Sequence, residues 1–309
     1  MRRNVSIIVV VLLMFLCGCV QQKSVEDSFY VSILPQKYFV ERITGGQFSV
    51  RVLVEPGASP ATYEPTAKQM VGLSQAQALF TIGVAFEEQL IPKIRGQYKE
   101  LEIVTTDINV PKLRPESFIE LFSTNDTDKI NPKANKLSEH NHNHSHEGLD
   151  PHIWLSPDLV KIQLTEITDY FVAHYPEQKE LFITNRDSFY QDLDEASRLI
   201  SDIFSTVGNK EFLCFHPAWG YFAKQFELKQ IPIEIEGKEP TPQEQHQILK
   251  FVQARGIKVI FVQQQFDKRI AQAIAEQIGG NVIPINPLAE NYLENLHEIA
   301  TKLAGSMEQ

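Results

Sequence analysis

The fold is decided by one stretch of sequence, residues 185–207, which reads NRDSFYQDLDEASRLISDIFSTV. Apolar side chains recur in it every three or four residues, which is the spacing of one face of an α-helix. They are Phe189, Leu193, Ala196, Leu199, Ile200 and Ile203. Short strands and helices alternate on both sides of this stretch, so we expect one long helix that joins two lobes.

The alternation itself is read from short apolar runs and helical patterns. Before the long helix, strands are predicted at residues 29–34, 48–54, 78–83 and 101–105, with helices at 36–44, 66–75 and 86–98. After it, strands are predicted at 211–215, 258–262 and 281–285, with helices at 217–226, 242–255, 268–277 and 289–303. Such alternation predicts a mostly parallel sheet covered on both faces. The expected fold class is α/β, with two α/β lobes joined by a long rigid helix.

The composition divides the chain into parts. The proposed bounds are a lipoprotein signal peptide at 1–18, a tether at 19–28, a first lobe at 29–184, the joining helix at 185–207 and a second lobe at 208–309. Within the first lobe, residues 106–149 lose the alternation and carry prolines and a long polar stretch. We expect a mobile surface insertion there.

The N-terminus is typical of an export signal. Arg2 and Arg3 precede an apolar run at residues 5–16, which is too short to span a bilayer core of about 30 Å. The sequence LCGC at 16–19 resembles a bacterial lipobox, in which cleavage after the glycine leaves Cys19 as the lipidated first residue. We expect an exported protein, anchored by lipid on Cys19 at the periplasmic face or the cell surface. An ordinary cleaved signal with incidental cysteines is the alternative.

Charge and cysteine content narrow the class of ligand. The chain has 29 basic and 39 acidic residues, and loss of Arg2 and Arg3 with the signal would bring the net charge from −10 to −12. An acidic protein of this kind is not expected to bind nucleic acid and is compatible with cations. With Cys17 removed and Cys19 lipidated, Cys214 is the one cysteine left with a free thiol, so we expect a buried thiol and no internal disulfide.

Histidines in two places point to a metal. His140, His142, His144 and His146 alternate with small polar residues in the insertion. Neutral imidazole is the commonest protein ligand for zinc-like cations. The tract therefore predicts an auxiliary metal-binding loop; an unstructured polar loop is the alternative.

The second place is the cleft between the lobes. Open α/β sheets bind ligands beyond the carboxyl ends of their strands, where His216 and Asn286 each follow a predicted strand. His152 lies on the first-lobe side, two residues after Asp150, which could orient its imidazole from the second shell of ligands. One histidine from each lobe predicts an interlobe metal site, although His216 alone could be a buried core histidine.

Six short motifs occur together in this chain. They are VEPGASP at 54–60, YEP at 63–65, DPHIWLSP at 150–157, FHPAWGY at 215–221, EGKEP at 236–240 and PINPL at 284–288. In this order they resemble the zinc/manganese solute-binding lipoproteins of bacterial ABC importers over nearly the whole mature length. The resemblance implies two α/β lobes bridged by a rigid helix, with the metal between them. It also implies a receptor, not an enzyme, that delivers the ion to a permease driven by an ATPase.

The resemblance carries over to the metal site only in part. His152 and His216 match two of the four ligand positions of the family. The position of the first histidine is Ala61 here, and that of the terminal carboxylate is Asn286, a poorer donor for zinc. The candidates to complete the site are Asn286, Glu64, Glu236 and a histidine of the 140–146 tract.

Imidazole-rich donors favour Zn²⁺ over Mn²⁺, while Cu²⁺ and Ni²⁺ stay open. Three other functions also stay open: a degenerate paralogue that buffers or senses metal through its histidine tract, a receptor for a metal–chelator complex, and a secreted metalloenzyme or adhesin. Against an enzyme, the sequence has no His-Glu-x-x-His, Gly-x-Ser-x-Gly or glycine-rich phosphate motif. We expect a monomer.

Overall fold

The computed structural model describes residues 27–114, 148–234, 238–266 and 268–307. They form two four-stranded sheets, in the orders β2-β1-β3-β4 and β6-β5-β7-β8, and neighbouring strands are parallel throughout. The strands are β1 (Ser28–Val31), β2 (Ser49–Val52), β3 (Ala78–Thr81), β4 (Glu102–Thr105), β5 (Glu211–Cys214), β6 (Lys229–Pro232), β7 (Val259–Gln263) and β8 (Asn281–Ile285). The predicted fold class, two α/β lobes with parallel sheets, is confirmed.

Helices cover both faces of the two sheets. They are α1 (Leu34–Thr44), α2 (Ala67–Leu73), α3 (Ala85–Gln97), α4 (Pro157–His174), α5 (Lys179–Ser205), α6 (Gly220–Gln225), α7 (Pro242–Ala254), α8 (Lys268–Ile278) and α9 (Tyr292–Met307). Because each central strand is covered on both sides, β3 and β7 are buried along their whole length. Such strands appear in the sequence as continuous apolar runs, which is why they were predicted.

The joining helix is α5, which begins at Lys179 rather than at residue 185 and ends at Ser205. It packs against α1 and α4 of the first lobe and α9 of the second. Phe189, Leu193 and Ile200 are buried as predicted, whereas Leu199 is 39% exposed. The helix thus joins the lobes as expected, with a narrower apolar face than the sequence indicates.

Strand β6 was not predicted; it ends at Pro232, which cannot donate a ladder hydrogen bond. Its position at the sheet edge, paired on one side only with β5, accommodates the proline. Two helices of the second lobe differ from their predicted bounds. The helix predicted at 217–226 is shorter, beginning at Gly220, and the one predicted at 289–303 runs from Tyr292 to Met307.

The lobes share one continuous core around Trp154 and Tyr292. The Trp154 indole N–H donates to the Pro287 carbonyl at 2.7 Å, and the Tyr292 hydroxyl donates to the Trp154 carbonyl at 2.7 Å. Tyr292 also packs edge-on against Phe39 of α1, with ring centroids 4.9 Å apart. These contacts hold the start of α9 against the first lobe. The thiol of Cys214 is buried and free, as expected.

None of the helices in the described ranges is both long and apolar enough to cross a membrane.

Candidate metal site

His152 lies directly before a short 3₁₀ helix, Ile153–Leu155, at the end of the insertion. The carboxylate of Asp150 accepts the His152 backbone N–H at 2.9 Å, and the same oxygen lies 2.7 Å from Nδ1 of the ring. Asp150 is 1% exposed. A carboxylate oxygen favours a proton on Nδ1, which leaves Nε2 as a free lone-pair donor.

His216 follows β5 and is held in the same way by a residue that sequence reasoning missed. Its Nδ1 is hydrogen-bonded to the carboxylate of Glu234, which is 8% exposed and follows β6. The ring stacks on Phe266, with centroids 4.9 Å apart. Burial lowers the pKa of His216 below its usual value, against the opposing effect of the Glu234 carboxylate. A neutral imidazole is the form that binds metal.

The two histidines meet at the boundary of the lobes. Their ring centroids lie 5.2 Å apart with the planes at 73°. His152 is also 5.2 Å from the ring of Trp154. The structure thus brings together His152, His216 and the predicted orienting residue Asp150, and it adds Glu234 as a second orienting carboxylate.

The other proposed ligands are exposed, already hydrogen-bonded or outside the described residues. Ala61 is in an exposed turn, and Glu64 is exposed in an irregular segment before α2. Ala61 and Glu64 do not share a helix, because α2 begins only at Ala67. The side-chain oxygen of Asn286 accepts the Leu288 backbone N–H at 3.0 Å, so it is already hydrogen-bonded.

Cys19, Glu236 and the four histidines of the 140–146 tract lie outside the described residues. Within the described ranges, no group of three or more His, Cys, Asp and Glu side chains is placed to hold an ion. What the described chain offers at the boundary of the lobes is therefore two imidazoles, each backed by a carboxylate.

Glu234 could have been found from the sequence had β6 been recognised. The segment IPI at 231–233 leads directly to Glu234, and residues that follow parallel strands of one sheet lie at the same edge, as His216 does after β5.

Two parallel-sheet lobes, a long joining helix and one histidine from each lobe at the boundary define a two-lobe solute-binding protein. Residues 30–306 match the family model described as zinc-uptake complex component A, periplasmic (ZnuA), and the chain belongs to this family. The predicted family resemblance is thereby confirmed.

Relatives include the zinc-binding protein AdcA of Streptococcus pyogenes serotype M3, 28% identical over 270 residues, which are 85% of this chain and 50% of that protein. The chain therefore spans about half the length of this relative. The high-affinity zinc uptake system protein ZnuA of Bacillus subtilis is 26% identical over 285 residues, 90% of this chain and 85% of that protein. A crystal structure of ZnuA superposes with a TM-score of 0.78 at 31% identity, covering 91% of this chain and 99% of that one.

Proposed function

We propose that this protein is an extracytoplasmic receptor that binds zinc between its lobes and delivers it to an ABC importer, without catalysing a reaction. The observation that carries the proposal is the pair His152 and His216, with both Nδ1 atoms bonded to carboxylates. Membership of the zinc-uptake family and the zinc-binding names of its relatives support it.

The spacing of the two rings suits one shared ion. Zinc binds imidazole nitrogen at about 2.0 Å, which puts each ring centre roughly 3.2 Å from the ion. At a tetrahedral angle the two ring centres are then about 5 Å apart, close to the 5.2 Å between His152 and His216. The separation of the rings is therefore compatible with one ion bound by both Nε2 atoms.

Two imidazoles do not complete a zinc site, which takes four ligands or three and a water. We propose that the remaining donors come from water and from one of the side chains that the sequence suggests: Asn286, Glu64, Glu236 or a histidine of the 140–146 tract. Asn286 would first have to give up its hydrogen bond from Leu288. If no histidine of the tract binds the interlobe ion, we expect the tract to act as an auxiliary metal-binding loop.

The donor set favours zinc. Imidazole suits Zn²⁺, Cu²⁺ and Ni²⁺, while Mn²⁺ prefers oxygen donors such as carboxylate and water. Here the carboxylates of Asp150 and Glu234 are bonded to ring nitrogens. The partners we propose are the permease and ATPase of an importer, with lipid on Cys19 anchoring a monomeric receptor at the cell envelope.

The test is a competition titration of the full chain against a zinc chelator. His216→Ala and His152→Ala are each expected to weaken zinc binding by at least tenfold, because each removes one of two described donors. His246→Ala is the matched control, since this histidine is exposed on α7 and its loss should leave the affinity unchanged. Unchanged affinity in both site variants would remove the interlobe site.

A further inference from the structure

The hydroxyl of Tyr221, on α6 of the second lobe, is hydrogen-bonded to Leu113, within the insertion, and to Asp150, directly after it. The Leu113 backbone N–H donates to this hydroxyl at 2.8 Å, and the hydroxyl donates to the Asp150 carbonyl at 2.8 Å. Asp150 and Leu113 are also bonded directly, since the Asp150 N–H donates to the Leu113 carbonyl at 2.8 Å. Tyr221 is 3% exposed, and burial raises its pKa to about 12, so it keeps its proton.

The second lobe also lies close to the Asp150 carboxylate. Its second oxygen is buried, has no hydrogen-bond partner among the described residues, and would lie 2.8 Å from a Cβ atom added at Gly220. Only a glycine leaves room for that close approach. The other carboxylate oxygen is the one that holds both the backbone and the ring of His152.

We propose that Tyr221 is a positioning residue for His152, acting through Asp150, so that the second lobe sets the orientation of the ligand that the first lobe supplies. The consequence for zinc rests on the proposed function. If the lobes separate at α6, Asp150 loses the hydrogen bond from Tyr221. His152 moves away from His216 in the same movement.

The first test needs no metal. In ¹⁵N NMR of the full chain, purified in detergent, His152 should show a proton on Nδ1. Tyr221→Phe is expected to shift this ring toward a mixture of tautomers. Tyr190→Phe is the matched control, because its hydroxyl on α5 also donates to a backbone carbonyl, that of Lys161 on α4, at 2.9 Å. An unchanged His152 spectrum in folded Tyr221→Phe would overturn the proposal.

Gly220→Ala gives a second, independent variant should Tyr221→Phe fail to fold. Its added methyl group presses on the Asp150 carboxylate and does not remove the Tyr221 hydroxyl. The same change in the His152 spectrum is expected. An unaltered spectrum would count against the role of Asp150 as the link.

The second test measures zinc affinity in a double-mutant cycle. Tyr221→Phe should weaken zinc about tenfold in the wild-type background and leave it nearly unchanged in the Asp150→Ala background, because the link is already lost. Equal losses in both backgrounds would mean that Tyr221 acts on stability alone. If the wild-type chain does not bind zinc, the proposed function fails, while the metal-free spectra still decide the positioning role.

Discussion

The two histidine–carboxylate pairs of the site make the same hydrogen bond by different routes. Asp150 and His152 are two residues apart, so a single turn of chain brings them together. Glu234 and His216 are 18 residues apart and meet because β6 pairs in parallel with β5. The Glu234 backbone N–H donates to the Phe215 carbonyl at 2.9 Å and fixes that register. One half of the site depends on local geometry, the other on a correctly formed sheet.

The largest effect is expected when both carboxylates are removed. Loss of a residue that orients a metal ligand costs roughly 10- to 100-fold in affinity, so Asp150→Ala with Glu234→Ala should weaken zinc about 10²- to 10⁴-fold if the pairs are independent. Competition titration of the double and both single variants measures this.

Removal of two exposed carboxylates on α5, at Glu195 and Asp202, is the control for the change in net charge. Loss in the double variant no greater than in either single one would show that the two pairs act as one unit.

A third buried carboxylate, Glu87 in the first lobe, shows what such a group does without an imidazole. It accepts the backbone N–H groups of Ile82 and Gly83 at 3.0 and 2.8 Å. Burial nevertheless raises its pKa to about 7. Because the pKa of Glu87 is raised in the folded state, the protonated side chain stabilises the fold. This stabilisation is complete below about pH 4.5 and is lost as pH rises through about 7.

Glu87→Gln should remove this pH dependence. The wild type is expected to lose on the order of 3 kcal/mol of unfolding free energy between pH 4.5 and 7 from this group, and the variant should not. Urea denaturation at several pH values in this range measures the difference, with the exposed neighbour Glu88→Gln as control. Parallel pH curves for wild type and Glu87→Gln would contradict the assignment.

The contrast between the pairs also explains what the sequence could predict. Central strands such as β3 and β7 were found because burial on both faces makes them uniformly apolar. Asp150 was found because its partner is two residues away. Glu234 was missed because its role requires the edge strand β6, which was not predicted. Helix ends also moved by several residues, since packing rather than pattern decides where α5 begins.

Two more conservative substitutions test how much the negative charge of each carboxylate contributes to zinc affinity. Asp150→Asn and Glu234→Gln each keep an oxygen that can accept from Nδ1 and remove the negative charge. Charge-assisted hydrogen bonds are about twice as strong as neutral ones, so we expect zinc affinity to fall roughly three- to tenfold in each variant. Titration of the two variants in parallel measures it, and wild-type affinity in either would show that its charge does not act on the ligand.

The smallest effect is expected in tryptophan fluorescence. Trp154 lies 5.2 Å from the His152 ring, whereas Trp219 packs edge-on against Phe222 at 6.2 Å. Zinc should therefore change the emission of the wild type and of Trp219→Phe, while Trp154→Phe should respond little. If the change in emission is instead lost in Trp219→Phe, the ion lies nearer the second lobe than this account places it.

The most direct test of the central claim, that the two lobes hold zinc between His152 and His216, is a competition titration of the chain with residues 136–148 deleted. This removes the histidine tract and leaves both site histidines in place. We expect one tight site to remain, with a dissociation constant on the order of nanomolar, about −12 kcal/mol, and its loss when His216→Ala is added. Binding that falls to micromolar or weaker on deletion would contradict the claim and assign the metal to the tract.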